Sequence, residues 1–302
     1  MKHPKFSILI TTKNRLSDLV STLDKIKLLL QNEEVNCIIC DDGSSDGTFE
    51  HLKSNYPKIQ LIRNETSKGL IYSRNVLMRL CQAEFAISID DDLHFITSDP
   101  LTAIENHFRH HEACGVIGFR IFWSTSEPTS TQTKEEPHRM KSFAGGAHAW
   151  RMSAWQQIPE YPAWFVFHGE EDFAAYSLFK KQIEIHYLPS ILVNHRVDLK
   201  ARKKNSDYTL RLRRSLRSGW CLMFLFFPIH KIPRLLVYTI WMQLKLKVFK
   251  GDFKALKAIF LGLLDCILFI PKILKNTNRL TAGEYAEFQK IGNIKLYWKP
   301  EN

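Results

Sequence analysis

Acidic side chains in this chain gather at three places where their types and spacing could do chemistry. Asp90-Asp91-Asp92 follows the apolar run Phe85–Ile89. Three consecutive carboxylates at the end of a strand repel one another unless a cation neutralises them. Hard oxygen donors of this kind suit Mg²⁺ or Mn²⁺, ions that bridge carboxylates to a substrate phosphate. A lone triplet reads more readily as a solvated acidic turn, but Asp41-Asp42, expected beside it, tips the reading toward a metal. Asp41-Asp42-Gly43-Ser44 is also an ordinary strand-to-turn signal, since Asp and Ser satisfy nearby backbone N–H groups. Glu170-Glu171-Asp172 opens a helix, where acids favour the macrodipole. Beside the apolar stretch Trp164–Phe167, the same carboxylates would have raised pKa values suited to a general base. Both roles stay open on the residues alone.

These clusters fall at the ends of expected elements. Phe6–Thr12 reads as a strand, 16–30 as an amphipathic helix and Val35–Cys40 as a second strand. A short helix over 48–55, a strand over 59–63, a helix over 70–82 and the strand 85–89 follow. Strand–helix alternation predicts a mostly parallel sheet covered on both faces. Ligands bind beyond the carboxyl ends of such strands, which is where Thr11–Arg15, Asp41-Asp42 and Asp90–Asp92 stand. Further on come a helix near 100–111, a strand over 115–121 and a polar segment over 124–141 expected to be a mobile loop. Gly145-Gly146, a short helix near 153–158, a helix from 170 to about 181 and a strand over 183–193, ended by His195, complete this half. His107, His110 and His111 read as helix surface, and a lone histidine such as His195 is more often structural than a ligand.

Charge divides the chain. Residues 1–195 carry 20 Lys+Arg against 24 Asp+Glu, while residues 196–302 carry 22 against 7. A near-neutral body with a basic tail implies that the tail meets an anionic surface. In the tail, Lys245, Lys247, Lys250, Lys254 and Lys257 alternate with bulky aliphatics, a mixture suited to helices lying in a membrane interface, with a helical hairpin packed on the body as the alternative. A continuous basic groove for nucleic acid is not suggested. No apolar run reaches the ~20 residues of a spanning helix, and the short apolar stretch after Lys5 is not a secretory signal. Cys37 and Cys40 have redox-motif spacing but sit in a strand, pointing to opposite faces, so all six cysteines read as core thiols in a reducing cytoplasm.

Taken in order, the motifs over residues 5–195 resemble those of the family 2 glycosyltransferases. The resemblance implies the GT-A fold, an α/β architecture with a mostly parallel central sheet, here with a helical C-terminal extension. It divides the chain into a catalytic region 1–200 and a basic, membrane-associated helical region 201–302. Phe6–Arg15 looks like the family's first strand and nucleotide loop, and Ile39–Thr48 like its second motif. By that resemblance Thr11, Arg15, Asp41, Asp42, Lys68, Arg74, Asp90 and Asp91 hold the donor. Asp92, with Asp90 and His195, takes the metal, Mn²⁺ or Mg²⁺. Asp172, with Glu171 as its alternative, falls where the family places its catalytic base, and Gly145, Gly146 and Trp164 lie on the acceptor side. Ala174 and Leu178 stand where relatives often carry an acid and an arginine, and the extra Glu170 leaves the register of the pair open by one residue.

The implied activity is transfer of a sugar, with inversion, from a nucleotide-diphosphate sugar to a glycan or lipid-linked hydroxyl. The implied place is the inner face of the cell membrane, in building surface polysaccharide. Two rivals share some of the features. A sugar nucleotidyltransferase also uses such sheets and aspartates, but no glycine- and lysine-rich phosphate loop stands near the N-terminus. A non-enzymatic nucleic-acid or membrane binder would rest on the basic tail alone. Nucleotide base, sugar, acceptor and oligomeric state are not written in these residues.

Overall fold

The computed structural model describes residues 3–197 and 207–295. The boundary expected at 200/201 lies outside the described residues. Four parallel strands form one half of a single sheet: β1 (Phe6–Thr12), β2 (Val35–Asp41), β3 (Gln60–Arg63) and β4 (Phe85–Asp90), in the order β3-β2-β1-β4. Phe6, Ile8, Leu9 and Ile10 of β1 are all buried, as a strand covered on both faces requires. Cys37 and Cys40 of β2 are buried thiols, each pushed upward in pKa by burial.

The other half is mixed. β5 (Leu93–Phe95), β6 (Cys114–Trp123), β7 (His138–Arg139), β8 (Ala147–Arg151) and β9 (Glu184–His195) complete the sheet. β8 runs antiparallel between β4 and β6, β9 runs parallel to β6, and β5 and β7 pair antiparallel with β9. Sequence pattern did not mark β5, β7 or β8. β8 reads Ala-His-Ala-Trp-Arg, without the β-branched residues that signal a strand, and is held by its two neighbours instead.

Helices α1 (Leu16–Lys25), α2 (Lys27–Leu30), α3 (Thr48–Asn55), α4 (Leu70–Leu80), α5 (Pro100–His110), α6 (Met152–Trp155) and α7 (Glu170–Lys180) cover the sheet. The single helix expected over 16–30 is thus interrupted at Ile26. His107 is a correction to the expected helix surface. It is buried, and its ring nitrogen lies 2.9 Å from Nδ1 of His186, while His110 and His111 are exposed. The segment 124–141 is tied down rather than free. Arg120 donates to the Thr131 and Gln132 carbonyls at 2.8 and 3.1 Å, and the Tyr187 hydroxyl donates to Glu135 at 2.6 Å.

The basic tail folds onto this body as α8 (Tyr208–Phe226), α9 (Ile232–Leu246), α10 (Phe253–Leu268), α11 (Ile270–Asn276) and α12 (Ala282–Lys290). Trp220, Cys221, Leu225 and Phe226 of α8 join the core beneath the sheet, with the Phe226 ring 5.0 Å from Tyr176 of α7. α10 lies along α8 through small side chains. A Cβ at Gly262 would stand 3.1 Å from the Trp220 ring, and Arg213 grips Asp265 with two bonds of 2.7 and 2.5 Å. Gly262→Leu should therefore wedge α10 away from α8, lowering stability by about 1–3 kcal/mol, the usual cost of overpacking. Urea denaturation followed by circular dichroism measures it; an unchanged midpoint would show that this helix contact contributes nothing.

Candidate active site

Parallel β1, β2 and β4 deliver their C-terminal residues to one edge of the sheet, pairing Thr12 with Asp41 and Thr11 with Asp90. β9 brings His195 to the same edge by running parallel to β6, and β5 pairs Leu93 with His195 just past the Asp triplet. His195 Nε2 stands 2.8 Å from Asp92 Oδ1. Ligand atoms of Asp90, Asp92 and His195 all lie within 4.8 Å of one another.

The three aspartates do different work. Asp92 is buried between His195 and Arg15, whose Nη2 is 2.6 Å from its other oxygen. Burial alone would raise its pKa, but these two partners hold it down at about 2, so it is a carboxylate at any working pH. Asp91 turns inward, accepting from Thr12 Oγ1 at 2.8 Å, while its carbonyl accepts from Thr22 at 2.7 Å. Burial pushes it up to about 7, against the pull of Arg15. Asp90 is the most open of the three and meets Nη2 of Arg74 at 2.9 Å. Two carboxylates and an imidazole, one carboxylate fixed as an anion, form a donor set that fits Mn²⁺ or Mg²⁺.

Arg74 is placed elsewhere than the resemblance implied. Its guanidinium is buried, bonded to Asp90, to Glu170 at 2.6 Å and to the Gly145 carbonyl at 2.7 Å, and it faces no open cleft. Glu170 is therefore the internal partner of Arg74, which leaves Glu171 and Asp172 at the cleft. Asp41 is fully buried and accepts from the Ser44 N–H, serving the turn. Asp42 organises the loop before α4. It accepts from Asn64, Ser67 and Ser73 side chains and from the N–H groups of Lys68 and Gly69, and these bonds outweigh burial to lower its pKa. The Lys68 side chain is exposed outside the cleft; only its backbone is used. Trp164, expected on the acceptor side, packs edge-on against Phe269 at 5.2 Å and lines neither cleft.

Two clefts open at this edge. The first, about 640 Å³, is lined by Thr11, Arg15, Asp42, the Asp triplet and His195. The second, about 530 Å³, is lined by Asp90, Gly145, Gly146, Glu171, Asp172 and His195. Asp90 and His195 belong to both. A strap over 166–169 runs between the clefts, with Val166 and Phe167 on the first and His168 and Gly169 on the second. Val166, His168 and Gly169 all have positive φ, at 68°, 70° and 91°. Gly145 and Gly146 form the wall where the clefts meet. A Cβ at 145 would lie 2.1 Å from Glu171 Oε1, and one at 146 would lie 2.9 Å from Asp90 Oδ2.

Burial, and then the neighbouring Glu170, push Glu171 well above the ordinary carboxylate range. Asp172 is more open to solvent, and the protein packed around it also raises its pKa, with Ser142 opposing. Sequence reasoning missed Arg196, whose N–H donates to the Asp92 carbonyl at 2.9 Å and whose guanidinium holds Thr22 at 2.6 Å. Its position directly after His195 was the available signal.

Comparison with known proteins places this geometry. Solved structures with the same fold include GalNAc-T7 with UDP, GalNAc and Mn²⁺ (TM-score 0.57, 17% identity, 76% of this chain and 49% of that one). Mannosyltransferase PcManGT from Pyrobaculum calidifontis, in complex with GDP-Man and Mn²⁺, aligns at TM-score 0.54 and 13% identity, over 96% of this chain and 80% of that one. The fold is GT-A. The model of Glycosyl transferase family 2 matches residues 7–170, more than half of the chain, and the protein belongs to that family. It is similar to the uncharacterized glycosyltransferase YfnE of Bacillus subtilis, 29% identical over 140 residues, and to the putative glycosyltransferase EpsE of the same organism, 29% identical over 175 residues. Those stretches are 44% and 52% of this chain, and 35% and 60% of the two relatives.

Arg74→Met should destabilise the protein by about 3–5 kcal/mol, because it strands the buried Glu170 charge. The double variant Arg74→Met/Glu170→Met should recover much of that loss. Thermal or urea unfolding of both variants checks the pair.

Proposed function

We propose that the protein transfers a sugar from a nucleotide-diphosphate sugar to a hydroxyl of a glycan or lipid-linked acceptor, inverting the anomeric carbon. One observation carries this reading: the two clefts meet at Asp90 and His195, so a donor diphosphate in the first would end where an acceptor in the second begins. The GDP-Man complex of PcManGT and the UDP complex of GalNAc-T7 support the same assignment for the first cleft.

Thr11, Arg15 and the Asp42 loop hold the nucleoside, and Arg211 and Arg214 of α8, which line the first cleft, face the diphosphate. Asp90, Asp92 and His195 are the residues that would hold Mn²⁺ or Mg²⁺, an ion that neutralises charge on a leaving diphosphate. Asp172 takes the acceptor hydroxyl proton as its oxygen attacks the anomeric carbon. The bond from that carbon to the diphosphate oxygen breaks, and the nucleoside diphosphate leaves with the electron pair. Glu171 is the second candidate for the base, favoured by its strongly raised pKa. The body works at the inner face of the cell membrane, in assembly of a surface polysaccharide.

General-base assistance is worth about 10²–10⁴ in rate, so Asp172→Asn should lower kcat by that order while leaving donor affinity nearly intact. Full turnover in both Asp172→Asn and Glu171→Gln would reject the pair as base. A base with a raised pKa is protonated, and so inactive, below that pKa. The acid limb of kcat/KM should therefore have its midpoint above the ordinary value of the residue that acts as base, 3.8 for Asp172 or 4.5 for Glu171. If Glu171 is the base, Glu171→Gln removes that limb; if Asp172 is, the limb persists. Thermal-shift screening of UDP-, GDP- and dTDP-sugars should show stabilisation that Mn²⁺ enhances and that Asp92→Ala abolishes. An equal shift in excess chelator would take the metal out of donor binding.

A further inference from the structure

α10 is built inside out for a helix in water. Its inner stripe, packed on α8, is Ala255, Ala258, Ile259, Gly262 and Cys266. Its outer stripe is Phe253, Leu256, Phe260, Leu264 and Ile267, at helical spacing, with Phe253 73% and Phe260 61% exposed. A helix that only had to cap the body would turn its largest apolar side chains inward. The neighbours repeat the pattern. Val237, Tyr238 and Trp241 of α9 are exposed, Phe249 meets Trp241 edge-on at 5.9 Å, and Ile270 and Leu274 of α11 are exposed. Of the 16 large apolar residues exposed among the described residues, 14 lie between Ile229 and Leu274. Scattered exposed leucines are ordinary, but a concentration of this kind marks a surface that is covered in use.

Charge says what covers it. Residues 229–276 carry nine Lys and Arg against two Asp, and one of those two, Asp265, is buried against Arg213. Lys245, Lys250, Lys254, Lys257, Lys272 and Lys275 are exposed among the aromatic and aliphatic side chains. A second copy of the chain would press like charge onto like charge. An anionic lipid surface offers the opposite charge together with an acyl layer for the rings, and lysine stems can lie along that layer with their ammonium groups in the headgroups. Among the described residues no helix is long and apolar enough to cross a membrane.

We propose that α9–α11 form a monotopic platform that seats in the interface of an anionic bilayer, with the outer stripe of α10 immersed and the lysines on the headgroups. This deepens the membrane part of the proposed function and rests on it for orientation only. α8 separates the platform from the catalytic edge: one side takes α10, and Ser215, Ser218, Gly219 and Leu222 line the second cleft. The acceptor cleft therefore stands one helix away from the lipid.

The test is flotation of the full chain with phosphatidylcholine vesicles that contain or lack phosphatidylglycerol. The expected result is flotation with the anionic vesicles, at least about tenfold weaker partitioning onto neutral ones, and weakening by salt. Phe253→Ser/Phe260→Ser and, separately, Lys254→Glu/Lys257→Glu should each reduce partitioning about tenfold or more while circular dichroism is unchanged, since all four positions are exposed. A chain that stays at the bottom of the gradient with anionic vesicles overturns the proposal. So does flotation that the variants leave intact, or a dimer in solution that Phe253→Ser/Phe260→Ser dissolves in place of lipid binding. Nucleotide-sugar binding by thermal shift is read separately: its loss with intact flotation rejects the transferase reading and leaves the platform standing.

Discussion

Like charges crowded at one sheet edge must be separated or neutralised, and in this protein two arginines do most of that work. Arg74 sits beneath the edge between Asp90 and Glu170, and Arg15 lies above it against Asp91 and Asp92. Buried ion pairs of this sort add little net stability, because desolvation offsets most of the attraction. What they fix is geometry. Arg74 joins the end of β4, the start of α7 and the Gly145 carbonyl in one bonded group, so acidic residues of two distant segments and the glycine pair keep a constant spacing.

That spacing sets the two clefts side by side, with Asp90 and His195 shared between them. The parallel half of the sheet supplies the first cleft, as open α/β sheets do beyond their strand ends. The antiparallel β8 then brings the glycine pair alongside Asp90, and β9 brings His195. The change of direction at β4–β8 admits a second cleft next to the first, with α7 and α8 as its outer walls.

The sequence made the parallel half and its polar strand ends legible, because apolar runs ending in Asp are a strong local signal. Much less of the mixed half could be read. β8 lacks strand-forming residues, and β5 and β7 are too short to show a period. Asp92, Asp90, His195, Glu171 and Asp172 converge as their order along the chain suggested. Arg74, Asp41 and Trp164 were named for contacts with ligand and turn out to face protein, a distinction that depends on side-chain direction rather than on residue type. Glu170 explains the extra acid before the pair, since its charge is taken up by an arginine 96 positions away. The outward apolar stripe of α10 could be seen as amphipathic mixture but not as inversion, because periodicity does not say which face meets the core.

Gly145 and Gly146 leave no room for even a methyl group between Glu171 and Asp90. The partition at the centre of the enzyme is therefore bare main chain, and mutation cannot reshape it without displacing the charged groups on either side. Any change in the shape of the second cleft is left to its other lining residues, such as Leu222 or Ile294.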